Sequence, residues 1–123
     1  MDNTNDSLAK KDAARRAALE IARGMLHGSI SLIEGCRSLV RLRFDAEITA
    51  SEALKVFVGV ESETDDYPVG NVRSVYAPEL LARLDAEVSE YLSQVRPVLI
   101  KACCEIICEI EALQLQSCNT NIQ

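Results

Sequence analysis

The chain has no tryptophan, and aromatic residues make up only 4% of it. It therefore lacks the interleaved rings on which nucleic-acid bases stack. A hydrophobic core must be built from Leu, Ile, Val and Ala. Glycine (5) and proline (3) are also scarce. Few turn residues favour long helices over a many-turned β architecture. His27 is the single histidine, which excludes a His-rich zinc site. No Cys-x-x-Cys pair is present, so thioredoxin-like redox chemistry has no basis. Gly-rich phosphate loops, dinucleotide fingerprints and nucleophile elbows are missing too. No apolar run reaches the length of a membrane span.

What is present fits one folded domain. The length is 123 residues and 48% of them are hydrophobic, enough for a core without metal or disulfide staples. The net charge of −6 is uneven. Residues 1–58 carry nine basic and eight acidic side chains, whereas residues 59–123 carry four and eleven. That excess of acid argues against binding nucleic acid or anionic lipid, and suits a basic protein partner. The five cysteines are an odd number, and the N-terminus is polar without a secretory pattern. Free thiols in a reducing cytoplasm are expected.

The apolar periodicity predicts an all-α fold, a small bundle of about four to five helices. Residues 1–7 are expected to be a disordered lead-in, residues 8–116 a single helical domain and residues 117–123 a frayed tail. A first helix over Leu8–His27 places Ala14, Ala18, Ile21, Ala22, Met25 and Leu26 on one face. Gly28 reads as its stop. Ser31 and Glu34 form a capping box for a second helix, antiparallel to the first. Thr49 and Glu52 repeat that pattern before a short third helix containing Ala53, Leu54, Phe57 and Val58. A strand over Lys55–Val60 is the competing reading by propensity. From Pro78, helical spacing runs through Leu81, Leu84, Val88, Leu92 and Val95. It passes Pro97 and resumes through Leu99, Cys103, Ile106 and Ile110, as one Pro-kinked helix or two joined end to end. Cys104 and Cys108, four apart, share a helical face and are read as packing residues, as is Cys103.

Function points to the segment Gly59–Gly70. It is read as a loop and gathers Glu61, Glu63, Asp65 and Asp66 with no basic residue among them. Such density is self-repulsive unless a cation, a basic partner or solvent screens it. Three readings stand: a solvated loop, a recognition surface that includes Tyr67, or a site for metal or acid–base chemistry. The spacing is not that of an EF-hand. Arg37 and Arg41, one turn apart on the second helix, are candidate anchors that pair with the loop's carboxylates.

Two blocks carry a family resemblance. One is Glu34-Gly35-Cys36-Arg37-Ser38-Leu39 followed by Arg41-Leu42-Arg43. The other is Phe57-Val58-Gly59-Val60-Glu61-Ser62-Glu63-Thr64-Asp65, completed by Pro68 and Gly70. Together they resemble a family of short, uncharacterised bacterial proteins. The resemblance implies no catalytic residue. By analogy, small acidic helical proteins of this sort look like immunity proteins of bacterial toxin systems.

The leading expectation is thus a non-enzymatic, immunity- or inhibitor-like binding protein, using Glu61, Glu63, Asp65, Asp66 and Tyr67 against a basic partner. No cofactor or metal is expected under it. A metal-dependent or acid–base enzyme using the same loop is the alternative. A third reading is a scaffold homodimer through Val98, Ile106, Ile107 and Ile110, whose apolar surface exceeds what one small core can cover.

Overall fold

Apolar residues at helical spacing govern the fold throughout, and no strand occurs among the described residues. The computed structural model describes the backbone of residues 3–122 and the side chains of residues 6–116. Helix α1 spans Asn3–His27, α2 Leu32–Leu42, α3 Glu52–Glu63 and α4 Pro78–Ile122, with a 3-10 helix at Gly70–Val75. Part of the expected lead-in, from Asn3, is helical in its backbone. Residues 1 and 2 lie outside the described residues, and α1 already begins at Asn3.

The buried face of α1 is Ala14, Ala18, Leu19, Ala22 and Met25. Its small side chains let α2 come close. A Cβ added at Gly35 would collide with the buried Met25 thioether. Gly28 adopts φ +83°, and the Ser29 N–H donates to the Gly24 carbonyl at 2.9 Å. This left-handed stop satisfies a helix-end carbonyl and disfavours any side chain there. Helix α2 starts as its capping box predicts, with the Glu34 N–H donating to Ser31 Oγ at 3.1 Å. Contacts between α1 and the returning chain run in reverse order, as in an antiparallel pair. Met25 meets Gly35, Arg15 meets Ala46, and Lys11 meets Glu47.

Arg15 is buried despite its charge, and its Nε donates to the Ala46 carbonyl at 2.8 Å. Its position explains this. Arg15 lies one turn before Leu19, on the core face, where a guanidinium must find an acceptor. Together with the pairs Lys10–Asp45 and Lys11–Glu47 it ties the α2–α3 connection to α1.

Helix α3 is capped by Ser51 and not by Thr49; the Leu54 N–H donates to Ser51 Oγ at 3.3 Å. It buries Ala53, Leu54, Phe57 and Val60, while Val58 lies 39% exposed. The helix therefore continues past Gly59, because Val60 falls one turn beyond Phe57 on the core face. Helix α4 is continuous through Pro97. Pro97 and Ser93 are both exposed, so water can serve the carbonyl that the missing proline N–H leaves. The predicted tail from Ser117 is helical in its backbone to Ile122, and Gln123 lies outside the described residues.

The C-terminal half of α4 packs on α1, burying Leu99, Ala102, Cys103, Ile106 and Ile110. This corrects the expected dimer face. Ile106 and Ile110 are fully buried in the chain's own core and Ile107 packs half-buried beside them, leaving Val98 53% exposed. Helix α1 packs along this part of α4, with Met25 beside Cys103 and Arg23 paired with Glu111. Among the described residues, no helix is long and apolar enough to cross a membrane.

Burial also sorts the thiols. Desolvation raises the Cys36 pKa to about 12, with Cys103 and Glu61 adding to the effect. It raises Cys103 to about 11, with Cys104 contributing. Cys104 and Cys108 are exposed. The thiolate is the reactive form. Iodoacetamide at neutral pH should therefore label Cys104 and Cys108 in the native protein, and Cys36 and Cys103 only after denaturation. Peptide mass spectrometry reads the difference; native labelling of Cys36 would contradict the packing.

Candidate functional site

Helix α3 ends on negative charge. Its last turn holds Glu61 and Glu63 and no basic residue, with Asp65 and Asp66 just beyond. Backbone carbonyls already make a helix C-terminus negative, so acids there are unfavourably placed. Part of this is offset from α2. Arg37 Nη2 donates to the carbonyls of Thr64 at 2.6 Å and Tyr67 at 2.8 Å. Thr64 is itself buried, and its Oγ1 donates to the Val60 carbonyl at 2.7 Å. Arg37 thus holds the turn through carbonyl oxygens and not through the carboxylates it was expected to pair with. A helix end offers fixed acceptors at the surface of α2, whereas Glu63, Asp65 and Asp66 are exposed. Arg41 is exposed and joins none of the ion pairs among the described residues, so it does not anchor the turn.

Beyond the turn, Tyr67 is held from α4 and the 3-10 helix. Its hydroxyl donates to Asp85 Oδ1 at 2.6 Å. Arg73 donates to Asp85 Oδ2 at 2.8 Å, to the Tyr67 hydroxyl at 3.2 Å and to the Pro68 carbonyl at 3.1 Å. Pro68 is buried beneath this network. The guanidinium of Arg73 also lies 5.7 Å from the centre of the Tyr67 ring. The ring is therefore fixed by two charged partners and one covalent neighbour in the core.

A cleft of about 260 Å³ opens on one side of this ring. Glu63, Asp66 and Glu87 line it, with Tyr67 and Tyr91 as walls and Leu84 and Val88 behind. None of the three carboxylates joins an ion pair among the described residues. Burial raises the Tyr91 pKa, and the nearby Glu63 charge raises it further. Of the residues singled out in the sequence, Glu63, Asp66 and Tyr67 meet in the cleft. Glu61 is half-buried on the side of Cys36, whose thiol it pushes up, and Asp65 is exposed outside the cleft. Glu87 and Tyr91 were missed because they come from α4, far along the chain. Their only signal was the helical register of Tyr91 with Val88 and Leu84.

The Tyr67–Asp85–Arg73 network has a defined pH range. Arg73, and then the Tyr67 hydroxyl, hold the Asp85 carboxyl below its ordinary value. Its stabilisation is present above the usual carboxylate pKa of about 3.9 and is lost as pH falls through the lower folded value. Burial, then the bond to Asp85, raises Tyr67 above the ordinary 10.0. That contribution is present below the ordinary value and is lost as pH rises through the raised one. The strap over Gly70–Val75 should stay docked from about pH 4 to pH 10 and loosen at either end. Amide exchange of residues 70–75, compared between wild type and Asp85→Asn at pH 7, checks this. Equal exchange in the two proteins would contradict the tether.

Metal chemistry needs ligands that converge more tightly than these. No group of three or more His, Cys, Asp and Glu among the described residues is placed to hold a metal ion. The site as it stands offers oxygen acceptors, two aromatic rings and an apolar back wall, which is a setting for a cationic side chain. Compared with protein-family models, with curated proteins and with solved structures, the chain gives no significant match.

Proposed function

We propose that the protein is a non-enzymatic binding module whose acidic cleft receives a Lys or Arg side chain of a basic protein partner, in the manner of an immunity or inhibitor protein. One observation carries this reading. Glu63, Asp66 and Glu87 line a tyrosine-walled cleft and have no ion-pair partner among the described residues. A cation entering there relieves repulsion among three carboxylates and meets the negative end of α3. It also gains the faces of Tyr67 and Tyr91. Opposite charge around the cleft speeds the partner's approach and rejects acidic competitors. The free thiols of Cys36, Cys103, Cys104 and Cys108 are in keeping with a reducing compartment, the cytoplasm.

The test is calorimetric. A hexa-arginine peptide is titrated into the wild-type protein and into the Glu63→Gln/Asp66→Asn/Glu87→Gln variant. The variant is expected to bind at least about tenfold more weakly than the wild type. Equal affinities would reject the cleft as the site.

A further inference from the structure

We infer that the partner enters as a peptide segment that pairs one Lys or Arg side chain with one nearby aliphatic side chain, the two seated on opposite sides of Tyr67. The inference rests on the cation-binding reading above and adds the second half of the ligand.

Tyr67 has a cleft on each flank. The second, also about 260 Å³, is lined by Leu32, Ile33, Pro68, Val69 and Leu92. Tyr67 and Val88 line both clefts, so the two adjoin along α4 with the ring as their divider. Their chemistry differs. One flank presents three carboxylates, whereas the other is mainly aliphatic, with Glu34 and Arg73 also along it. The divider is held in place by the Asp85 and Arg73 bonds, so neither cleft can expand into the other without breaking them.

Helix α4 supplies an independent reason. Its apolar stripe is continuous in sequence, yet only its C-terminal half is fully buried. Leu99, Ala102, Cys103, Ile106 and Ile110 are buried against α1, whereas no residue from Pro78 to Val98 is buried. Leu84, Val88, Leu92 and Val95 are only half-buried, Leu92 and Val95 on the edge of the core and Leu84, Val88 and Leu92 along the clefts. The incomplete cover lies where the two clefts open.

Charge selects the occupant. A metal ion or a free amine would use the acidic flank and leave the aliphatic one wet. A second copy of this chain would bring a net charge of −6 toward three carboxylates. A nucleic acid or an anionic lipid surface is repelled for the same reason. A peptide with a basic and an aliphatic residue on one face satisfies both flanks. Residues i and i+2 of an extended segment, or i and i+3 or i+4 of a helix, meet that requirement.

The probes are acetylated, amidated peptides with Arg and Leu separated by one, two or three glycines. Each has a control with Ala in place of Leu. Binding is followed by chemical shifts of the wild-type protein at low salt. At one spacing the leucyl peptide is expected to bind about tenfold more tightly than its control, since burying a leucine side chain has that order of effect. New shifts should appear at Val69 and Leu92, and Val69→Ser should reduce the gain without changing the affinity of the alanyl control. If no leucyl peptide exceeds its control at any spacing, the aliphatic half is overturned while the cation site stands. If even the alanyl peptides leave Glu63, Asp66 and Glu87 unperturbed, the cation-binding reading fails and this inference falls with it.

Discussion

Phe57→Ala is expected to destabilise the protein by about 3–5 kcal/mol, the usual cost of emptying a buried phenylalanine site. Phe57 is 0% exposed and is among the largest fully buried side chains. The cluster around it is otherwise aliphatic or sulfur-bearing, with Met25, Cys36, Leu39 and Leu99. Small aliphatic neighbours cannot refill a phenyl volume without leaving their rotamers. A domain of this size has a total stability of about 5–15 kcal/mol, so this single change brings the fold near its limit. The other phenylalanine is the internal control. Phe44 is 67% exposed, with the Arg43 guanidinium 4.5 Å from its ring centre. Phe44→Ala is expected to fall within about 0.5 kcal/mol of wild type, as surface changes do. Urea midpoints of the two variants decide it. Similar losses would mean that the α2–α3 packing is not as described.

The second large effect concerns binding. Glu63→Gln/Asp66→Asn/Glu87→Gln is expected to weaken hexa-arginine binding by at least about tenfold. Each exposed charge pair contributes up to about 1 kcal/mol, and stacking of the guanidinium on tyrosine adds a similar amount that the variant retains in part. Salt provides a separate handle. At about 0.5 M NaCl the screening length falls to roughly 4 Å, so wild-type binding should drop toward that of the variant. The variant itself should respond less to salt, because its cleft has lost the charges that salt screens. Stability should not fall, and a small rise is expected from the relief of like charge at the C-terminus of α3. A variant that loses binding by unfolding would show itself in the same thermal melt.

Much of the fold was legible from spacing. The α1 stop at Gly28, the Ser31 cap of α2 and the long apolar stripe of α4 follow from local rules that tertiary structure did not override. Other features needed three dimensions. The segment from Gly59 was read as a loop, yet Val60 fits the α3 core face and the helix runs on to Glu63. Ile106 and Ile110 looked like surplus apolar surface, because the sequence does not say that α1 reaches across them. The acidic segment was legible as a density of charge, not as a direction. Glu61 and Asp65 carry the same charge as Glu63 and Asp66 but lie outside the cleft. Arg37 was read as a partner for the acidic carboxylates, whereas its acceptors are carbonyls that no side-chain pattern encodes. Arg15 could have been read better, since its spacing from Leu19 and Ala22 already put it on the buried face.

Net charge alone would let any acidic protein bind a polycation, so the decisive comparison holds charge constant. A matched variant, Glu20→Gln/Glu105→Gln/Glu109→Gln, removes three exposed carboxylates from outside the cleft. Hexa-arginine affinity at low salt is measured for it beside the cleft variant. A cleft that receives the cation requires the matched variant to bind nearly as wild type does, with the cleft variant at least about tenfold weaker. Equal losses in the two variants would mean that the whole acidic surface, and no particular place on it, attracts the peptide.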